Sequence, residues 1–440
     1  MGRNSCSPIA VPTSSELLFP AVDPAAAAAF FRADPQPQAG RLAPGEPTRQ
    51  GGHNGSVHPE YHSVASYARH LRPQLPPGAF RTDPNRLALV VINLAILVLG
   101  WAMADQLDRW PGFWPLAFLP FALVMGNSVI VLLFATHDLL HGSSLRGRAW
   151  RRVAGLFGLA LLWMPPTLWQ AVHNREHHGA TNSLGDPDRS YLESQPASWG
   201  KWIQHQFTPS DTVRPLWLVV GLANSWVVHN LRTLASVLLF NDGVPNFTPA
   251  SFRVSPKERL LIALELLVIV ALHAGVIVWL DCQPLKLLLG YFIPLWIGYG
   301  VAIAYIYTNH LLCPLTEIND PLANTLSLRL PRIFDLLHLN FSYHTEHHIF
   351  PGLNSSYYPL VQRLLLEQFP DRYQLLDGAE AWRLLLSTPR HYRDAQTLTT
   401  WSGDRQMPVP RLLGSSTGYG PGLGRLGRGQ VAEAGELGFK

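Results

Sequence analysis

The residues with the clearest chemical meaning in this chain are histidines in three short tracts. His137-Asp138-Leu139-Leu140-His141 holds an i, i+4 pair. His173-Asn174-Arg175-Glu176-His177-His178 holds three at i, i+4 and i+5, and His344-Thr345-Glu346-His347-His348 holds three at i, i+3 and i+4. On helices, such spacings stack imidazoles on one face. Eight of the chain's 18 histidines fall here. Neutral imidazole binds zinc, copper, iron and nickel, so dense histidine tracts read first as metal sites. Cys6, Cys282 and Cys313 are too scattered for a thiolate site or a disulfide framework. Nitrogen and oxygen must hold any metal.

The H-E-x-x-H signal of zinc proteases is missing, and so are the E-x-x-H pairs of soluble di-iron bundles. Eight imidazoles exceed what one tetrahedral zinc can use, which argues for two metals. Nitrogen ligands with open positions suit iron that must bind oxygen. Asp138, Glu176 and Glu346 lie inside the tracts and could orient ligand imidazoles by accepting the other ring N–H. No catalytic side chain beyond the ligands and these three is expected. The isolated His205, His229, His273 and His391 read as structural, and His53, His58, His62 and His70 as solvated tail residues.

The elements that must position the tracts are strongly apolar. The 440 residues are 47% apolar and only 15% charged, against about 25% charged in soluble proteins. Runs at Leu87 to Met103, Phe113 to Ala135, Leu260 to Leu280 and Leu285 to Thr308 each approach the roughly 20 residues that cross hydrocarbon. Short polar turns join the first two and the last two, predicting two membrane hairpins. Arg146, Arg148, Arg151 and Arg152 follow the second run, so that end is cytoplasmic by the positive-inside rule. Four crossings then return His310 and the third tract to the same side. The stretch Val153 to Val172 contains Pro165-Pro166 and joins the first two tracts, so it reads as interfacial or re-entrant. Leu216 to Phe240 reads as an interfacial helix.

Residues 1–84 are Pro-, Ala-, Gly- and Ser-rich and read as a mostly disordered tail; 85–395 form the membrane domain, and 396–440 a flexible Gly-rich tail. A net charge of +4 without a basic, aromatic-studded stripe argues against nucleic acid as a partner.

The pattern H-x3-H, H-x3-H-H and H-x2-H-H, with paired hydrophobic hairpins and the extension His344 to Pro351, resembles the integral-membrane fatty acid desaturase and hydroxylase superfamily over about Leu87 to Tyr373. The resemblance implies an all-α membrane domain of four transmembrane helices, with interfacial helices and a cytoplasmic helical cap. It implies two iron ions held by His137, His141, His173, His177, His178, His344, His347 and His348, and an acyl channel between the helices. Many members take a further ligand after the last spanning helix, where His310 stands; His338 is a second candidate. Box spacing is closest to acyl-lipid desaturases. No haem-binding His-Pro-Gly-Gly is visible, so electrons would come from a separate ferredoxin or cytochrome.

The implied activity is O2-dependent desaturation of an acyl lipid. A hydroxylase or a carotenoid hydroxylase or ketolase would use the same boxes. A membrane metal-binding or transport protein without oxidation chemistry is a third reading, and only Glu265 and His273 in the third run would mark its ion path.

Overall fold

The computed structural model describes residues 61–81, 83, 85–142, 148–195, 199–213 and 215–410. The tails expected within 1–60 and 411–440, and Arg146 in the basic cluster, lie outside the described residues. The helices are α1 (Val64–Leu71), α2 (Asn85–Ala104), α3 (Leu119–His141) and α4 (Arg148–Leu159). Helix α5 starts at Pro166–Trp169, widens to a π-helix over Gln170–His177 and ends at His178–Ala180. Then come α6 (Trp199–Phe207), α7 (Pro215–Ala235), α8 (Pro256–Trp279) and α9, within the continuous stretch Pro284–Asn309. The cap adds α10 (Arg332–Leu337), α11 (His344–Ile349), α12 (Tyr358–Gln368) and α13 (Gly378–Ser387). Its strands are β1 (Ser327–Arg329) parallel to β2 (Leu375–Asp377), and an antiparallel sheet of β3 (His391–Asp394), β4 (Thr397–Thr399) and β5 (Gln406–Pro408).

Among the described residues, four helical stretches are long and apolar enough to cross a membrane: Asn85–Arg109, Trp114–His141, Pro256–Trp279 and Pro284–Asn309. They coincide with the four expected runs. Helix α3 packs against both α2 and α9, and α9 also packs on α7. Small residues permit the closest approach: a Cβ on Gly298 would fall 2.6 Å from Val129 Cγ1. Leu97, Leu132, Ala302 and their neighbours fill this interface. Away from the clusters, Lys286 joins the two hairpin turns. Its buried ammonium lies 2.8 Å from Asp281, 3.3 Å from Asp105 and 3.4 Å from Asp108.

The segment between the first two tracts breaks its helix before Pro165-Pro166. Trp163 adopts a left-handed φ of 55°, and the chain turns. Backbone carbonyls at this bend accept from side chains of other helices, Ala160 O in addition to the Trp163 N–H. Ala160 O accepts from His273 Nε2, Leu161 O from Tyr299 OH, and Leu162 O from Trp226 Nε1 and Asn230 Nδ2. His273 also meets Tyr291 OH and stacks on Trp163 at 4.0 Å. Glu265 accepts from the backbone N and Oγ1 of Thr167, at the start of α5. The two polar residues of the third span thus fasten the turn that carries the second tract.

Two boundaries differ from expectation. The disordered tail was expected to reach residue 84, but α1 buries Tyr67 and Leu71 against α11 and α12, with Tyr67 edge-on to Phe369. The flexible tail was expected from residue 396, but β4 and β5 complete a sheet on β3. In both places a few buried side chains order a polar stretch, too few to register as periodicity.

Candidate metal centre

Each tract occupies the element its spacing allows. His137 and His141 stand one turn apart on α3, which ends at His141 before Gly142. His344, His347 and His348 share one face of α11, and all three are buried. The second tract needs its π-helix. At about 100° per residue, an α-helix would turn His178 roughly 140° from His173. The i+5 bond from His178 N to His173 O widens the turn, so His177 and His178 flank His173.

The tracts converge. Ring nitrogens of His137, His141, His173, His178 and His347 lie within 4.8 Å of one another, and so do those of His177, His310 and His348. His344 Nε2 joins the second group, 2.9 Å from His310 Nε2 and 3.0 Å from His348 Nε2. Within the first group, His178 Nε2 is 3.2 Å from His173 Nε2 and 3.0 Å from His347 Nε2. His338 stays apart, bonded to Tyr305 OH and facing Asn127.

Second atoms hold many of these rings. His177 Nδ1 donates to Asp186 (3.0 Å), His137 Nδ1 to Asp138 (3.4 Å) and His310 Nδ1 to the Asn324 carbonyl (3.0 Å). A carboxylate or carbonyl can only accept, so each of these rings carries its proton on Nδ1 and turns a lone pair on Nε2 inward. Tyr358 OH meets His347 Nδ1, and Thr181 Oγ1 meets His348 Nδ1.

The carboxylate expectations need correcting in part. Asp138 does reach His137. Glu176 instead pairs with the partly exposed Arg175 at 2.8 Å, because it sits on the outer side of the wide turn. Glu346 is fully buried on the far side of α11, where Ser327 and Tyr373 donate to it. Burial, partly offset by those donors, pushes the Glu346 carboxyl up to about 7. The segment Gly185-Asp186-Pro187-Asp188 supplies a partner that none of the three tracts contains. Asp186 is the carboxylate that orients His177, and Asp188 stands beside it. Burial pushes Asp188 up to about 6.

Burial, with repulsion between neighbouring imidazoles, holds His173, His178, His344, His347 and His348 well below the ordinary histidine value. Burial lowers His310 to about 4. These rings are neutral at pH 7, as metal ligands must be. His177 differs: burial opposes its charge, but the Asp186 and Asp188 carboxylates together outweigh burial and raise it.

The nest fits metal ions. His137 Nε2 and His141 Nε2 are buried polar atoms with no hydrogen-bond partner, a costly state unless something else meets the lone pair. Metal–nitrogen bonds of about 2.1 Å meeting near 90° separate two nitrogens by roughly 3 Å. The facing Nε2 pairs have that separation. Beside the nest lies a cavity of about 170 Å³, lined by Leu133, Phe134, Ala302, Ile303 and Phe341 and reached by His137, His173, His177, His310 and His344.

Long apolar helices supporting a buried nest of nine imidazoles define a membrane-type, histidine-rich protein. The family model described as fatty acid desaturase matches residues 110–378, well over half of the chain, and the chain belongs to that family. No curated protein matches it significantly.

Proposed function

We propose that this protein is an O2-dependent acyl-lipid desaturase with two iron ions. In this reading His137, His141, His173, His178 and His347 hold one iron, and His177, His310, His344 and His348 hold the other. The observation that carries it is the convergence of nine imidazoles, from three tracts and the end of α9, on one apolar cavity. When bound, the iron pair supplies redox chemistry with O2 that no side chain has, the removal of hydrogen from an unactivated C–H bond.

The rest falls to the chain's own residues. Phe134, Ile303 and Phe341 offer an apolar wall for methylenes, worth about 0.8 kcal/mol per CH2 buried. The same wall keeps water from the reacting carbon. Asp186, Asp138 and the Asn324 carbonyl hold three rings in the tautomer that presents Nε2. The histidine side faces the cytoplasm in this reading, with Arg151 and Arg152 on the nearby α4, and a separate ferredoxin or cytochrome supplies electrons there. An ion-transport reading loses its support, since Glu265 and His273 are both engaged in fastening the re-entrant turn.

The test is the lipid profile of a host that lacks the activity and expresses this chain. New double bonds support the proposal; added oxygen makes the protein a hydroxylase, and neither product refutes both. His347→Ala abolishes product while leaving helical content unchanged; retained product would count against the site.

A further inference from the structure

Helix α10 of the cap is only six residues long, yet it turns a row of large apolar side chains outward. Ile333 and Leu336 are 56% and 64% exposed, and Phe334 and Leu337 lie open beside them. Contiguous apolar surface of this kind marks contact with a membrane or a partner. The one acidic side chain of the helix, Asp335, turns inward and accepts from Ser342 Oγ. Its turns are closed by backbone bonds from Phe334 N to Pro331 O, His338 N to Phe334 O and Asn340 N to Asp335 O. The exposed Arg332 opens the helix, and such a side chain can carry its charge back to a polar border.

What this face meets depends on how deep it sits. His338, which ends α10, is buried between α3 and α9: its Nδ1 meets Tyr305 OH at 2.8 Å, and its Nε2 lies 3.3 Å from Asn127 Oδ1. The polar border of the first hairpin is marked by Arg86 of α2, which pairs with Asp138 of α3 at 3.0 Å. Asn127 stands eleven positions before Asp138, about 16 Å along the helix axis. That is roughly half the thickness of a hydrocarbon core. Helix α3 changes at this level: Leu119, Leu123 and Val124 are exposed, whereas Ser128 to Ala135 are all buried. Even allowing for the reach of both side chains, α10 lies below the border.

We propose that α10 is immersed in the hydrocarbon of the leaflet on the histidine side, with lipid acyl chains as the partner of Ile333, Phe334, Leu336 and Leu337. It adds to the four spanning stretches a short element that does not span, and it ties the cap to the bilayer. The inference goes beyond the desaturase reading and needs only the four long stretches to cross the membrane.

The experiment attaches a nitroxide spin label to Leu336→Cys in the full chain, with Cys6→Ser and Cys282→Ser to remove competing thiols and the buried Cys313 kept. The protein is reconstituted into phosphatidylcholine vesicles, and collisions of the label with O2, which enters hydrocarbon, are compared with those of a water-soluble nickel complex. Two labelled references bracket the result. Val91→Cys lies on the exposed face of α2, about 8 Å from Arg86 along the axis, and Glu367→Cys on the exposed side of α12. The ratio of O2 to nickel collisions at position 336 is expected to match position 91 and to exceed position 367 several-fold. A ratio like that of position 367 overturns the proposal, and so does protection from both reagents, as under a second copy or a protein partner. A water-like ratio at position 91 would overturn it together with the spanning assignment. Should Leu336→Cys fail to fold, Ile333→Cys on the same face decides by the same ratio. Neither iron nor turnover is needed, so this outcome is independent of the desaturase reading.

Discussion

His177 Nδ1 lies 3.0 Å from Asp186 Oδ2, and both side chains are buried. The carboxylate also accepts the backbone N–H groups of Asn182 and Asp188, so it is itself held in place. Asp186→Asn removes the charge with little change of shape. Partners of ligand histidines typically matter by about 10–100-fold in metal affinity. The expected outcome is a loss of that size for the second group, read as iron retained per chain during dialysis against a graded chelator.

His310 and His338 both follow or flank the last span, and their surroundings separate them. His310 Nε2 faces His344, whereas His338 is engaged by Tyr305 and Asn127. His310→Ala should lower bound iron to about one ion per chain, on the logic that a catalytic metal tolerates few lost ligands. His338→Gln should leave iron unchanged. Elemental analysis of the purified variants checks both.

The two glutamates of the tracts should also part company. Glu346→Ala strands the buried Ser327 and Tyr373 hydroxyls, and should cost about 3 kcal/mol. Glu176→Ala breaks only a partly exposed pair with Arg175, and should stay within about 0.5 kcal/mol. Denaturation in mild detergent, followed by circular dichroism, compares them.

His391 offers a pH test away from the nest. Burial, then repulsion from His205 and Lys201, lowers it to about 4. As pH falls below about 6.5, the unfolded chain takes up a proton that folded His391 refuses. Its contribution to stability is therefore present above about pH 6.5 and lost progressively toward pH 4. The melting temperature of His391→Gln should fall less steeply than wild type over that window; parallel curves would contradict this.

What the sequence made legible was set by local periodicity. The four spans stand out because each is a single long apolar run; the parity of crossings put His310 on the side of the tracts, and the family resemblance marked it as a ligand. Asp186 was hidden because its meaning depends on a fold-back: it is nine positions from His177, inside a Gly-Asp-Pro-Asp segment that also has ordinary turn chemistry. The π-turn of α5 was hidden for a different reason, since residue spacing is interpreted at the α-helical period by default. Helix α1 escaped because Tyr67 and Leu71 are its only buried residues, and β3 to β5 because strands of three or four residues hardly alternate.

The turn before Pro165 has a consequence for biogenesis. Its backbone carbonyls are met by His273, Trp226, Asn230 and Tyr299, all synthesised later than the turn itself. While a ribosome is still making α7 and α8, the second histidine tract hangs from an unsupported bend. The nest can close only after α9 and α11 have emerged, so chains that stop before His348 should fail to assemble it.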